Sequence, residues 1–85
     1  MIRECKICGA KYETCYLCER QKSWRVHTDT ASHYQIFVIL MEYQSGRDAS
    51  EVYDALRRVG VDFNSLNIYR EDIRRLLEKI RAEKV

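Results

Sequence analysis

The chain has 85 residues, 46% of them apolar, which suits one small domain whose hydrophobic core is marginal without a staple. Its longest unbroken apolar stretch, 36–41, is far too short to cross a bilayer, and no basic, apolar, small-residue order marks a secretory signal. The expectation is a cytoplasmic protein with no membrane partner, and a formal net charge of +2 is too small to announce phosphate binding on its own.

All four cysteines fall in the first 18 residues as two C-x-x-C pairs. Cys5-Lys6-Ile7-Cys8-Gly9 has the form of a zinc knuckle: two thiolates reach one metal across a tight turn, and glycine permits the positive φ that the turn needs. After a six-residue spacer comes Cys15-Tyr16-Leu17-Cys18, followed by the helix formers Glu19-Arg20-Gln21-Lys22, which places the second pair at a helix N-terminus. In a reducing compartment such pairs are more often metal ligands than disulfides. The expectation is therefore one structural Zn²⁺ per chain held by Cys5, Cys8, Cys15 and Cys18, with iron as the other metal that four thiolates accept. With the ion's four positions filled by protein, the site does no catalysis, and the formal net charge falls to zero. His27 and His33 are weighed as replacement ligands and set below the cysteines, His33 as a partly exposed polar residue of a first helical turn.

Tyr12, Tyr16, Trp24 and Arg25, interleaved with Lys11, Arg20 and Lys22, are residue types that dominate protein interfaces and that also stack bases and contact phosphates. Against that stands burial of the lone Trp24 in the core, the heavier reading for a domain this small.

From position 29 onward the pattern is helical. Asp29 or Thr30 caps a helix over Ala31–Gln44 that stops before Gly46, and its apolar residues point nearly all round, with Gln35 and Glu42 as the polar sector. This predicts a central, buried helix. What its neighbours leave bare becomes a homodimer or partner seam, unless residues 20–28 fold over it. Asp48 opens a second helix over 49–59, ended by Gly60, with Ala49, Val52, Tyr53, Leu56 and Val59 on its apolar face. A last helix over 66–84 aligns Tyr69, Ile73, Leu76, Leu77 and Ile80. Arg70, Arg74 and Arg81 run beside that stripe, and Arg57 and Arg58 lie on the polar face of the helix before it. They read as a phosphate-binding rim or as a self-paired solvated face, because Glu71 and Glu78 stand four residues from Arg75 and Arg74. A helix-turn-helix is disfavoured by the long connection and by cations placed late in its reading helix.

The fold expected is mainly α: one domain, 1–85, in which a small four-cysteine zinc knuckle module (1–23) packs on a three-helix C-terminal bundle (29–84). No nucleophile triad, paired-carboxylate or nucleotide-binding pattern is present, so the protein is expected not to be an enzyme. Cys5-Lys6-Ile7-Cys8-Gly9 with Cys15-Tyr16-Leu17-Cys18-Glu19 resembles the zinc-ribbon and treble-clef modules of small bacterial and bacteriophage regulators. The Ser23-Trp24-Arg25 segment and the Asp29-Thr30-Ala31-Ser32-His33-Tyr34 helix start are similar in style to proteins of phages and mobile elements. The resemblance implies stoichiometric binding in the manner of anti-sigma and anti-CRISPR proteins, occluding a host nucleic-acid machine such as a CRISPR nuclease or RNA polymerase. Tyr16, Trp24, Arg25, Arg70, Arg74 and Arg81 are the candidate partner surface. Direct DNA or RNA binding and structural dimerisation through the 31–44 helix are the alternatives.

Overall fold

A computed structural model describes residues 1–84. Gly9 takes φ +77°, the left-handed backbone that closes a tight turn, and the chain folds back as an antiparallel hairpin of β1 (Ile2–Glu4) and β2 (Lys11–Glu13). Arg3 pairs with Tyr12 in its register, and the C-x-x-C-G segment forms the tip. This two-stranded sheet was not among the expected elements, because strands of three residues carry too little alternation to show in sequence.

Helix α1 (Tyr16–Gln21) follows, tied to the hairpin by Glu19, whose carboxylate accepts from the guanidinium of Arg3 at both oxygens. A 3₁₀ turn over Ser23–Val26 then carries Trp24 and Arg25 back under the hairpin. Here Tyr12 Oη donates to the Arg25 carbonyl at 2.6 Å, and Arg25 Nη2 donates to the Glu13 carbonyl at 2.9 Å. Thr28, fully buried, donates its hydroxyl to the Thr30 carbonyl at 2.8 Å and so joins this turn to the next helix.

Helix α2 (Ala31–Gln44) is capped by Thr30, whose Oγ1 accepts from the His33 N–H at 3.1 Å. It is less enclosed than its all-round apolar sequence predicts. Ile36, Ile39 and Leu40 are buried, whereas Val38 and Met41 stay exposed. Residues 20–28 supply part of the missing cover: the His27 ring stacks on Phe37 at 4.9 Å.

Helix α3 (Ala49–Arg58) is capped by the Asp48 carboxylate, which accepts from the N–H groups of Ser50 and Glu51. It packs against both α2 and α4 (Glu71–Glu83), burying Val52 and Leu56 completely between them. Leu77 and Ile80 of α4, with Val61, Phe63, Leu66 and Tyr69 of the connection, complete this core. The last helix starts later than predicted because Leu66–Ile68 forms a 3₁₀ turn and Tyr69 and Arg70 are extended. The reason is a tertiary bond: the Arg70 N–H donates to the Ile7 carbonyl at 2.8 Å, drawing the chain across to the hairpin tip before α4 begins. Among the described residues no helix is long and apolar enough to cross a membrane.

Candidate metal centre

The hairpin tip is seated by its own backbone. The Cys5 N–H donates to the Ala10 carbonyl at 2.8 Å, the Gly9 N–H to the Cys5 carbonyl at 2.9 Å, and the Lys6 N–H crosses to the His27 carbonyl at 3.0 Å. Cys5 and Ile7 are completely buried as a result, and the Arg70 side chain packs on Gly9, where an added Cβ would lie 3.5 Å from Cγ. The two cysteine side chains therefore point inward, toward the start of α2.

There they meet Asp29 and His33. Because Thr30 serves as the helix cap, the Asp29 carboxylate just before it is released from capping. His33, four residues on, lies on the same side one turn later. His33 Nδ1 lies 2.8 Å from Asp29 Oδ1 and 3.6 Å from Cys5 Sγ, while the Cys8 thiol donates to Asp29 Oδ2 at 3.5 Å. One ligand atom from each of Cys5, Cys8, Asp29 and His33 lies within 4.8 Å of all the others, close enough to bind a metal ion.

Burial pushes the Cys8 thiol up to about 11, with the neighbouring Cys5 and Asp29 adding to the rise against a backbone N–H that opposes it. Burial also works against ionisation of Asp29, but hydrogen bonds from Cys5 and His33 outweigh it and hold the carboxyl below its usual range. Two sulfurs, an imidazole and a carboxylate converge from two segments of chain, so an ion here would join the hairpin to α2.

The cysteines expected to share one ion fall in two places, Cys5 and Cys8 in this cluster and Cys15 and Cys18 apart from it. Cys5 and Cys8 are free thiols, while Cys15 and Cys18 are joined to each other as a disulfide. The hairpin register is the cause: Cys5 sits by Ala10 at the tip, whereas Thr14 lies opposite Met1, placing Cys15 beyond the open end. At about 3.3 Å per residue this separates Cys15 from Cys5 by roughly 16 Å along the strands. Of the two histidines, His33 joins the cluster. His27 does not: its Nδ1 lies 3.0 Å from Lys6 Nζ, and burial followed by the charges of Lys6 and Arg3 lowers its pKa.

The residues expected to form a partner surface are dispersed. Tyr16 is 70% exposed with the Arg20 guanidinium over its ring, whereas Trp24 is half-buried and Arg25 is engaged by the hairpin. Arg70 holds Asp72 at 2.7 Å and Glu4 at 3.5 Å beside the hairpin tip, and Arg81 donates to the Phe63 carbonyl at 2.8 Å. Arg74 is half-buried and has no ion pair among the described residues. Of the cluster, Asp29 was not singled out in the sequence as a ligand, and His33 was set below the cysteines. The signal was the Asp-x-x-x-His spacing at the start of a helix, which puts a carboxylate and an imidazole one turn apart. No family model, curated protein or solved structure matches the chain, so its function is argued from these residues.

Proposed function

We propose that this is a non-enzymatic, zinc-stapled cytoplasmic protein that acts by stoichiometric binding to another macromolecule. The observation that carries the reading is the donor set: Cys5, Cys8, Asp29 and His33 are four protein ligands meeting at the joint between the hairpin and the helices. Zinc accepts this mixture of thiolate, imidazole and carboxylate. With tetrahedral bonds of about 2.0–2.3 Å its ligand atoms would sit roughly 3.3–3.8 Å apart, so the cluster closes on the ion with small side-chain shifts. A filled tetrahedron offers no position to substrate, and its contribution is folding energy and shape.

What the ion would hold in place supports a binding role. The hairpin, α1 and the turn after it present Met1, Ile2, Tyr16 and Leu17 to solvent, all more than half exposed, on a segment too small to keep its shape without the joint. A protein surface of a larger machine, as the resemblance to phage regulators implies, is the partner we favour. Native mass spectrometry of the protein as purified, alone and after capture on a tagged column, tests both parts. We expect one zinc per chain and a co-purifying protein that Tyr16→Ala with Leu17→Ala releases. Zinc should survive Cys15→Ser with Cys18→Ser and be lost with Cys5→Ser or His33→Ala. The opposite pattern would restore the four-cysteine site.

Direct nucleic-acid binding is the second reading, favoured by one place. Arg57, Arg81, Tyr53 and Phe63 line a depression of about 490 Å³, and Lys84 lies 4.2 Å over the Tyr53 ring. Cations beside aromatic faces suit phosphates and bases. Single-stranded DNA that bound at low salt with an affinity falling steeply as salt rises would select this reading.

A further inference from the structure

Cys15 and Cys18 take no part in the donor cluster, and their surroundings give them chemistry of their own. Cys15 is exposed and Cys18 half-buried, with Tyr16 and Leu17 between them 70% and 61% exposed, so the pair lies at the surface. The charge around the pair is one-sided. Lys22 and Arg25 line a shallow depression of about 190 Å³ together with Cys18 and Gln21, while Glu19, the carboxylate of the same turn, is already held by Arg3.

The link also does little as a staple. It closes a loop with only two residues between its cysteines, and a short loop restricts the unfolded chain least. The turn it spans has its own hydrogen bonds, from the Glu19 N–H to the Cys15 carbonyl at 3.0 Å and from the Lys22 N–H to the Cys18 carbonyl at 2.9 Å. Helix α1 thus keeps its bonds whether the sulfurs are joined or apart.

We propose that Cys15 and Cys18 are a redox-active dithiol–disulfide pair that exchanges with low-molecular-weight thiols of the glutathione class. In the reducing direction a thiolate attacks Cys15 Sγ. The bond between Cys15 Sγ and Cys18 Sγ breaks, and its electron pair leaves on Cys18 Sγ, whose residue shares a depression with Lys22 and Arg25. A second thiolate then attacks the small molecule's sulfur in the mixed disulfide, releasing the small disulfide and leaving Cys15 as thiolate. Two thiols become one disulfide, and the protein gains two electrons and two protons. The same steps run backward oxidise the dithiol at the expense of the small disulfide. Attack falls on Cys15, the more exposed residue of the pair, and the Cys18 N–H, which donates to Cys15 Sγ at 3.1 Å, steadies the thiolate that the second step leaves there.

The test uses the full chain as purified from cells, equilibrated in glutathione buffers from fully reduced to fully oxidised, quenched in acid, alkylated and mapped by peptide mass spectrometry. The expected result is that Cys15 and Cys18 lose alkylation together in one reversible two-electron transition, with metal content unchanged across it. Cys15→Ser should abolish the intramolecular link and leave Cys18 carrying at most one glutathione. The wild-type titration stands without that variant. Alkylation of both cysteines at every ratio would overturn the proposal, as would resistance of both to excess dithiothreitol. Protection of both in reducing buffer, removed by a chelator, would overturn it in favour of a metal site.

Discussion

The imidazole of His33 and the carboxylate of Asp29 face each other across one helical turn, Nδ1 to Oδ1 at 2.8 Å, while Thr30 between them in sequence does the capping. Capping and membership of the cluster thus fall to different neighbouring residues, and mutation can separate them. Thr30→Ala should cost about 1 kcal/mol of stability and leave metal affinity nearly unchanged. Asp29→Asn should keep the fold of the loaded protein and weaken metal binding by at least about tenfold, since even outer-sphere partners of metal ligands are worth that much. Thermal melts and competitive titration against a chromophoric chelator read the two quantities, and equal effects on both would contradict the division.

Acidity should act in opposite senses with and without metal. The folded Cys8 thiol is raised to about 11 from an ordinary value near 9.0, first by burial. A raised value means the metal-free fold holds this proton more tightly than the unfolded chain does. That contribution to stability is complete below pH 9 and is lost as pH climbs toward 11. An ion must displace the same proton, so Cys8 alone makes metal affinity rise about tenfold per pH unit through the neutral range. Chelator competition at several pH values, set beside melts of the chelator-treated protein above pH 9, checks both signs.

Gly9→Ala should destabilise the protein by about 1–2 kcal/mol, because φ +77° is strained for any side chain, although the new methyl would meet the Arg70 stem at an ordinary 3.5 Å. Since the strain falls at the hairpin tip, chemical-shift changes should concentrate around Cys5 and Cys8. A melt indistinguishable from wild type would show that the tip relaxes freely.

In the helical core Leu56, fully buried between α2 and α4, should cost about 3 kcal/mol on change to alanine. Met41, 51% exposed on α2, should cost under about 0.5 kcal/mol. A Met41→Ala loss approaching that of Leu56→Ala, and dependent on protein concentration, would mean that this face is covered by a second copy in solution.

Thr28 tests the link between the 3₁₀ turn and α2. Its hydroxyl is fully buried and bonded to the Thr30 carbonyl, so Thr28→Val keeps the volume and removes the bond at a cost of about 1–3 kcal/mol. Urea denaturation measures it, and a neutral result would show that the carbonyl finds another donor.

The helices were legible because their signals are local. Asp48 and Thr30 cap within three residues of themselves, glycines follow the ends of α2 and α3, and the α3 stripe of Val52 and Leu56 repeats at helical spacing. The Cys5–Cys8 half of the metal centre was legible for the same reason, since a C-x-x-C-G turn is complete within five residues. The other half depended on what lies opposite that turn once the chain has folded. Two C-x-x-C pairs of identical spacing look interchangeable as a string, and the hairpin makes them different: its register puts one pair at the closed end and the other past the open end.

By itself, then, the sequence determined where α2 and α3 start and stop, which faces are apolar, and that a pair of thiols sits in a turn by Gly9, because those properties rest on neighbours within about one turn of chain. Tertiary structure alone decided that Asp29 and His33 join Cys5 and Cys8, that Cys15 and Cys18 stand apart, and that Arg70 interrupts the last helix to reach Ile7. Those outcomes depend on distances between residues far apart in the chain, which only strand register and core packing set.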